Sequence, residues 1–250
     1  MTGGDDAALR LKQEAARRAA DLVQSGMVVG LGEGSTAVWA VRRVGELLQA
    51  GKLANIVGIA ASPRMEDEAR RVGIPLTTFS AHPAIDLTID GADEVDPQLD
   101  LIKGGGGALL REKIIAQATR REVIVVDESK LVPALGSGWG VPVEVIPFGW
   151  RSQYDYLSGL GAQVVPRLAG ISLKAGERAA AGPDTPLTAL FRTSENNIIL
   201  DCYFGPIHDA PALAERLRAR AGVVEHGLFL GLAQDVFAAT PTGVRHIQRG

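Results

Sequence analysis

The sequence predicts an α/β fold: a doubly wound, mostly parallel sheet that carries a smaller, inserted α+β domain. Three observations support this fold class. Short apolar runs of strand length alternate with segments of helical periodicity up to residue 127. Glycine and proline then crowd residues 133–142, as they do at domain boundaries. Beyond that stretch, the order of predicted elements changes to that of a split βαβ domain.

The first predicted elements form a strand, a glycine-rich turn and a helix. Apolar residues at helical spacing from Leu11 to Val23 indicate a helix that ends near Gly26. Residues 27–31 are a short apolar run, typical of a buried parallel strand. After the turn at 32–36, helical spacing returns over residues 37–48.

The alternation continues through the rest of the first domain and favours a Rossmann-like architecture. The predicted strands are 56–60, 74–79, 86–90, 99–103 and 122–127, and the predicted helices are 63–72 and 108–118.

The second half of the chain predicts a small domain of ferredoxin-like kind. Its predicted elements are a strand at 141–146, a helix at 150–160, a strand at 162–168 and a hairpin joining 187–193 to 198–204. A helix at 210–221 and strands at 228–232 and 236–239 are assigned back to the first domain. The expected domains are therefore 1–134 with 210–250, and 135–209.

Composition limits the classes of function. The 250 residues are 46% hydrophobic and 22% charged, which is ordinary for a globular protein with a sizeable core. A formal net charge of -3 gives no basic field for a nucleic-acid backbone. The first residues lack the basic and apolar stretches of a signal peptide, and no apolar run reaches membrane-spanning length. We expect the single cysteine, Cys202, to be a buried strand residue in a reducing compartment. We expect a cytoplasmic enzyme without nucleic-acid or membrane partners.

The turn at residues 32–36 is the first candidate for chemistry. Its glycines let the backbone approach a ligand, and the N–H groups that open the next helix attract an anion, assisted by the hydroxyls of Ser35 and Thr36. The spacing matches neither GxGxxG nor Walker A. A phosphate or carboxylate site and a plain N-cap made by Ser35 both agree with these residues.

Four acids just past a predicted strand form the second candidate. Asp90, Asp93, Glu94 and Asp96 stand where ligand sites of open α/β sheets lie, and acids there could exchange protons with ligand hydroxyls. An acidic turn with an Asp N-cap gives the same pattern. The four histidines are scattered without ligand spacing, so we expect no metal site.

Lys103 and the four glycines after it form the third candidate. Such a run costs conformational entropy and is too short for a linker, so a backbone wrapped tightly around a ligand explains it better. Lys103 would then stabilise an oxyanion. Glu112, on the next predicted helix, is by itself no different from a residue on a solvated face.

These motifs, taken together and in order, resemble those of the ribose-5-phosphate isomerase A family over about residues 8–247. The matching segments are 30–36, 90–94, 103–107, 111–115, 127–130, 142–147 and 231–239. The resemblance implies that the chain interconverts D-ribose 5-phosphate and D-ribulose 5-phosphate through an enediolate, in the non-oxidative pentose phosphate pathway. It also implies that no metal or cofactor takes part and that the protein is a homodimer or homotetramer.

The resemblance also implies roles for single residues. Glu112 matches the general base that removes the C2 proton and returns a proton to C1. Asp90 and Asp93 match acids that assist ring opening and move a proton between O1 and O2, and Lys103 matches the cation beside the enediolate. The positions that match substrate-binding residues are Gly34, Ser35, Thr36, Gly104, Gly105 and Lys130.

Two segments depart from the family pattern. Glu33 stands where similar sequences carry Thr or Ser, and its carboxylate would repel a phosphate unless it turns away or contacts a sugar hydroxyl. Residues 60–64 depart from the hydroxyl-rich stretch that is usual there, and Arg64 among them is a candidate to compensate for Glu33. The loop at 170–186 is longer than usual and receives no role.

Two other classes of function compete with the isomerase. A sugar-phosphate sensor of the kind found in transcriptional regulators needs a DNA-binding element, and a single helix ahead of the first strand leaves no room for one. An acyl-CoA transferase-like enzyme would use a glutamate as nucleophile. Lys103 with its glycines and the pair Asp90 and Asp93 favour sugar chemistry.

Overall fold

The structure is a computed structural model that describes residues 3–171, 177 and 179–250. Residues 172–176 and 178, part of the long loop noted in the sequence, lie outside the described residues. The helices are α1 (Gly3–Ala20), α2 (Ala37–Gln49), α3 (Pro63–Arg71), α4 (Leu109–Gln117), α5 (Trp150–Gly159) and α6 (Ala210–Arg218). Among the residues described, no helix is long and apolar enough to cross a membrane.

The strands follow the same chain order. They are β1 (Val28–Leu31), β2 (Val57–Ala60), β3 (Leu87–Asp90), β4 (Glu94–Val95), β5 (Leu101–Ile102), β6 (Glu122–Asp127), β7 (Val141–Val145), β8 (Gln163–Pro166), β9 (Ile198–Tyr203), β10 (Val223–His226), β11 (Leu228–Phe229), β12 (Ala233–Thr240) and β13 (Gly243–Gln248). Short 3-10 turns occupy Glu128–Lys130 and Leu187–Ala189.

Packing divides the chain into two compact units. The first comprises Met1–Ala92, Arg111–Leu131 and Gly231–Gly250, and the second comprises Asp93–Leu110 and Val132–Leu230. This division differs from the expected domain bounds at 93–110, 132–134 and 210–230, which group with the second unit. The reason is pairing and packing, because β10 pairs with β7, α6 packs on β10, and β4, β5 and β11 form a sheet of their own.

The first unit is built on a six-stranded sheet in the order β13-β12-β6-β3-β1-β2. All neighbouring pairs are parallel except β12 with β13. The inner strands are apolar and buried, as parallel strands covered on both faces must be. The predicted α/β class with a parallel central sheet is therefore confirmed.

Helices cover both faces of this sheet. Val29 and Leu31 of β1 share a core cluster with the alanines of α1 and the apolar face of α2. Their neighbour Val28 belongs to a separate cluster that contains Ile115 of α4. Because successive strand residues point to opposite faces, α1 and α2 lie on one side and α4 lies on the other.

The sheet has a topological switch point between β1 and β3. The chain leaves β1 to form β2 on one side, and returns to form β3 on the other side of β1. Connections that follow β1 and β3 therefore diverge from the same edge of the sheet. In open α/β sheets, ligands bind outside the carboxyl ends of the strands at such a point.

The second unit contains an antiparallel sheet in the order β10-β7-β9-β8, with α5 and α6 in the connections. Its strands and helices share one apolar cluster that includes Val143, Leu157 and Leu217. Cys202 lies fully buried on β9, where burial raises the pKa of its thiol well above the ordinary value. The expectation that Cys202 is a buried strand residue is confirmed.

Two predicted elements are wrong. Residues 74–79 form no strand, because only a single bridge joins Leu76 to Gly58. The hairpin that was to join 187–193 to 198–204 is also absent, because β9 pairs with β7 on one side and β8 on the other. Both edges of β9 are thus occupied, and residues 187–193 are left with a 3-10 turn and one bridge, from Leu190 to Leu168.

At the antiparallel edge of the first-unit sheet, a buried carboxylate on β12 binds side chains of β13 and Arg121. Asp235 of β12 accepts two hydrogen bonds from Arg121, at 2.7 and 3.0 Å. On β13, the Nε2 atoms of His246 and Gln248 lie 2.7 and 3.0 Å from Oδ1 of the same carboxylate. Burial would raise the pKa of Asp235, but these partners outweigh burial and lower it from 3.8 to about 2.

We expect Asp235→Asn to reduce the free energy of unfolding at pH 7 by on the order of 2 kcal/mol. Because the pKa is lower in the folded protein, the ionised carboxylate stabilises the fold fully above pH 4, and this stabilisation is lost as the pH falls toward 2. The difference in free energy of unfolding between wild type and variant should therefore shrink over that range. Urea unfolding at several pH values measures it. The control is Asp67→Asn, because the Asp67 side chain is 81% exposed. A deficit that stays constant with pH would contradict the electrostatic explanation.

Candidate active site

Asp90 lies at the switch point, as the last residue of β3, and is buried. Its Oδ1 accepts backbone hydrogen bonds from Glu33 at 2.8 Å and from Gly91 at 2.6 Å. The carboxylate therefore fixes the turn that follows β1 to the end of β3.

The absence of a side chain at Gly32 leaves space for the Asp90 side chain. The parallel register pairs Leu31 with Ile89, which sets Gly32 beside Asp90. A Cβ atom added to Gly32 would lie 2.1 Å from Cγ of Asp90, far inside van der Waals contact. The first glycine of the turn thus makes room for an acid of the protein itself.

The start of α2 lacks a side-chain cap. Thr36 occupies the N-cap position and makes no side-chain capping hydrogen bond, and Ser35 lies exposed one residue earlier. The interpretation of Ser35 as a plain N-cap is therefore wrong. The other interpretation, an anion site at the N-terminus of α2, stays a prediction.

Glu33 is turned away from solvent and held by the start of α3. Its carboxylate accepts hydrogen bonds from Nε of Arg64 at 2.8 Å, from a second nitrogen of that guanidinium, and from the hydroxyl of Ser62. The same carboxylate takes the N–H of Gly34 at 3.1 Å. Only 12% of the Glu33 side chain is exposed, so its negative charge is balanced by Arg64 within the first unit.

Glu112 on α4 is buried, which the sequence alone does not indicate. Glu112 is 4% exposed and Lys113 is 5% exposed, whereas the apolar Ile114 is 46% exposed. A helix that buries two charged residues and exposes an isoleucine inverts the ordinary distribution. Charged side chains buried at a cost in desolvation occur both at functional sites and in structural ion-pair networks.

Asp93 and Lys103 belong to the second unit. Asp93 accepts the N–H of Gly105 at 2.7 Å, and a Cβ atom added to Gly105 would lie 2.6 Å from Oδ1 of Asp93. Lys103 follows β5 and is buried, with its ammonium 5.5 Å from the centroid of the Phe229 ring. A side chain at position 105 would therefore displace the Asp93 carboxylate.

The two remaining acids of the motif have structural roles. Glu94 is buried and accepts the backbone N–H groups of Gly136, Gly138 and Trp139 at 2.5–2.8 Å. Asp96 accepts the N–H groups of two residues in its own turn. Sequence reasoning missed the role of Glu94, although the glycine-rich stretch that it binds was evident.

Lys130 lies in the 3-10 turn that follows β6. Asp127 caps this turn through Ser129 and forms an ion pair with Lys12 of α1, at 2.9 Å. Burial acts to raise the pKa of Asp127, but Ser129 and Lys12 outweigh burial and lower it. Lys12 and Ser62 are two polar residues near predicted site positions that the sequence did not single out.

No group of three or more His, Cys, Asp or Glu side chains in the described part of the chain could hold a metal ion. Within the first unit, the structure brings Asp90 to the turn of Gly34, Ser35 and Thr36. Within the second, it brings Asp93 to the glycine segment that follows Lys103.

Known proteins resemble this chain over nearly its whole length. The family model described as ribose 5-phosphate isomerase A (phosphoriboisomerase A) matches residues 57–243. A ribose-5-phosphate isomerase A from Chloroflexus aurantiacus is 53% identical over 94% of this chain and 92% of that protein. One from Gluconobacter oxydans is 52% identical over 94% of this chain and 95% of that protein.

Solved structures agree with these relatives. Ribose 5-phosphate isomerase A from Methanocaldococcus jannaschii has a TM-score of 0.84 at 36% identity, covering 96% of this chain and 98% of that one. A D-ribose-5-phosphate isomerase in complex with phospho-erythronic acid has a TM-score of 0.86 at 35% identity, with the same two coverages. The chain belongs to the ribose 5-phosphate isomerase A family.

Proposed function

We propose that this protein is an aldose–ketose isomerase that interconverts D-ribose 5-phosphate and D-ribulose 5-phosphate through an enediolate. The reaction belongs to the non-oxidative pentose phosphate pathway. Among the structural observations, the burial of Glu112 on a helix that exposes Ile114 carries the proposal furthest. The relative solved with phospho-erythronic acid supports a phosphorylated sugar as the ligand class.

The chemistry needs a base and a counter-charge. A proton on carbon next to a carbonyl leaves only if a positioned base accepts it while the developing oxyanion is stabilised. Glu112 removes the C2 proton and returns a proton to C1, and Lys103 stabilises the enediolate oxygens. Asp90 and Asp93 assist ring opening and move a proton between O1 and O2.

The substrate is held mainly through backbone and hydroxyl groups. The N-terminus of α2, with Gly34, Ser35 and Thr36, binds the phosphate. Gly104, Gly105 and Lys130 bind the rest of the sugar phosphate. The Thr36 hydroxyl supports this role, since it makes no capping hydrogen bond to the backbone of α2.

Further features of the protein belong to the same proposal. The β7-α5-β8-β9-α6-β10 order with sheet order β10-β7-β9-β8 supports a smaller α+β domain of ferredoxin-like kind beside a Rossmann-like one. The protein works without metal or cofactor, in the cytoplasm, as a homodimer or homotetramer. The named relatives are all isomerases, which favours this function over a sensor or a CoA transferase.

Glu112→Gln tests the general base. The amide keeps the shape of the side chain but cannot accept a proton, so we expect kcat to fall roughly 10²–10⁴-fold while binding of phospho-erythronic acid persists. The assay follows ketose formation from ribose 5-phosphate. In deuterated water, the wild type should incorporate deuterium at C1 of the ketose, the carbon that receives the proton.

Glu215→Gln provides the control, because Glu215 lies exposed on α6. It should turn over like the wild type. Near-normal turnover by Glu112→Gln would show that another group is the base.

Arg64→Ala tests the balance of charge at the phosphate turn. Without Arg64 the Glu33 carboxylate is uncompensated beside the N-terminus of α2, and it should weaken phosphate binding. We expect KM for ribose 5-phosphate to rise roughly 3- to 10-fold with kcat nearly unchanged, since a partly exposed pair contributes about 1 kcal/mol.

The double variant Glu33→Thr/Arg64→Ala removes both charges and should restore KM. Unphosphorylated ribose, assayed in parallel, separates repulsion of the phosphate from a general loss of shape. Equal effects of Arg64→Ala on both sugars would refute the charge-balance explanation.

A further inference from the structure

A buried arginine in the second unit contacts the glycine segment after Lys103. Arg167 directly follows β8, with 11% of its side chain exposed. It forms a bidentate ion pair with Asp201 of β9, donating from Nε at 3.0 Å and from Nη2 at 2.5 Å. Burial would lower the pKa of this guanidinium, but Asp201 outweighs burial and raises it above its ordinary value. The residue is therefore a fixed, charged donor.

The third nitrogen of Arg167 does not bind Asp201. Nη1 donates to the carbonyl oxygen of Gly104 at 2.8 Å and to that of Gly105 at 3.2 Å. The planar guanidinium thus spans a carboxylate on one side and the glycine backbone on the other, which a lysine ammonium cannot do with the same geometry.

The peptide unit between Gly104 and Gly105 is held from both ends. Its carbonyl accepts from Arg167, and its N–H donates to Oδ2 of Asp93 at 2.7 Å. A segment of glycines has no side chains to anchor it and would otherwise sample other peptide orientations. If this peptide rotated, Asp93 would lose its backbone donor.

Stability alone does not explain the pair of Arg167 and Asp201. Buried ion pairs are often no more stabilising than apolar residues of similar volume, because both charges lose their hydration. The strands around it are apolar, and residues such as Val164 and Leu200 fill the same sheet. The pair is better explained by what its third nitrogen holds.

We propose that Arg167, oriented by Asp201, is a positioning residue that fixes the Gly104–Gly105 peptide and through it the Asp93 carboxylate. This inference rests on the proposed function, in which Asp93 moves protons between substrate oxygens. Arg167 itself acts through Gly105. The same clamp sets the backbone that leaves Lys103.

The test uses the double variant Arg167→Met/Asp201→Leu, which removes both buried charges together and so avoids leaving one of them unpaired. We expect kcat for ribose 5-phosphate to fall roughly 10- to 100-fold, since small misplacements of catalytic groups have effects of that size. KM, and the affinity for phospho-erythronic acid measured by calorimetry, should weaken by a smaller factor than kcat falls, because Gly104 and Gly105 supply only part of the substrate contacts. A purely structural pair would lower stability without this split.

A matched control exists in the first unit. Arg121 forks onto Asp235 with similar distances, but neither residue is assigned to the site. Arg121→Met/Asp235→Leu should lower stability and leave kcat unchanged. Arg167→Lys, which keeps a cation beside Asp201 but loses the fork, serves if the double variant does not fold, and its kcat should fall in the same direction.

The outcomes separate the two proposals. Wild-type protein that does not convert ribose 5-phosphate would refute the proposed function. With an active wild type, the positioning role is overturned if the Arg167 variants keep kcat within twofold, or if the Arg121 control loses kcat equally.

Discussion

Carboxylates of residues 90–94 accept backbone N–H groups and hold three glycine-containing loops. Asp90 holds the turn after β1, Asp93 holds the glycine segment after Lys103, and Glu94 holds the stretch before β7. These loops are rich in glycine, so they have few side chains with which to fix themselves. Three acids from one short segment supply the anchors that the loops lack.

A carboxylate suits this task because one group can accept several donors at once. Hydrogen bonds to an ionised acceptor are shorter and stronger than those between neutral groups, which offsets the cost of burying the charge. Glu94 accepts the most backbone donors of the three acids, with three N–H groups on one side chain. Close packing follows, and at Gly32 and Gly105 no side chain larger than hydrogen fits beside the acids. The glycines and the acids are therefore one structural feature rather than two.

Much of the fold could be predicted from the sequence, because parallel strands and amphipathic helices have strong local patterns. The strands from β1 to β3 and the helices α2 to α5 fall within a few residues of their expected bounds. The absent hairpin before β9 could not be predicted, since strand pairing is decided by which edges are already occupied. Burial of Glu112 was likewise hidden, because α4 lacks the periodicity that would reveal its inner face. The partners of Glu33 depend on tertiary approach of α3, and only the presence of Arg64 gave a signal.

Helix α4 buries two charged side chains and leaves an isoleucine exposed, against the ordinary preference of folding. A rotation of about 100°, the angle between successive helical residues, would bring Ile114 to the buried position of Ile115 and carry Lys113 to the exposed position of Ile114. Burying an isoleucine contributes roughly 1.5–3 kcal/mol, so that alternative is locally favourable. The native orientation is thus a point of local frustration in an otherwise consistent landscape. In this orientation Ile115, one residue further along, packs in a buried cluster with Val28 of β1.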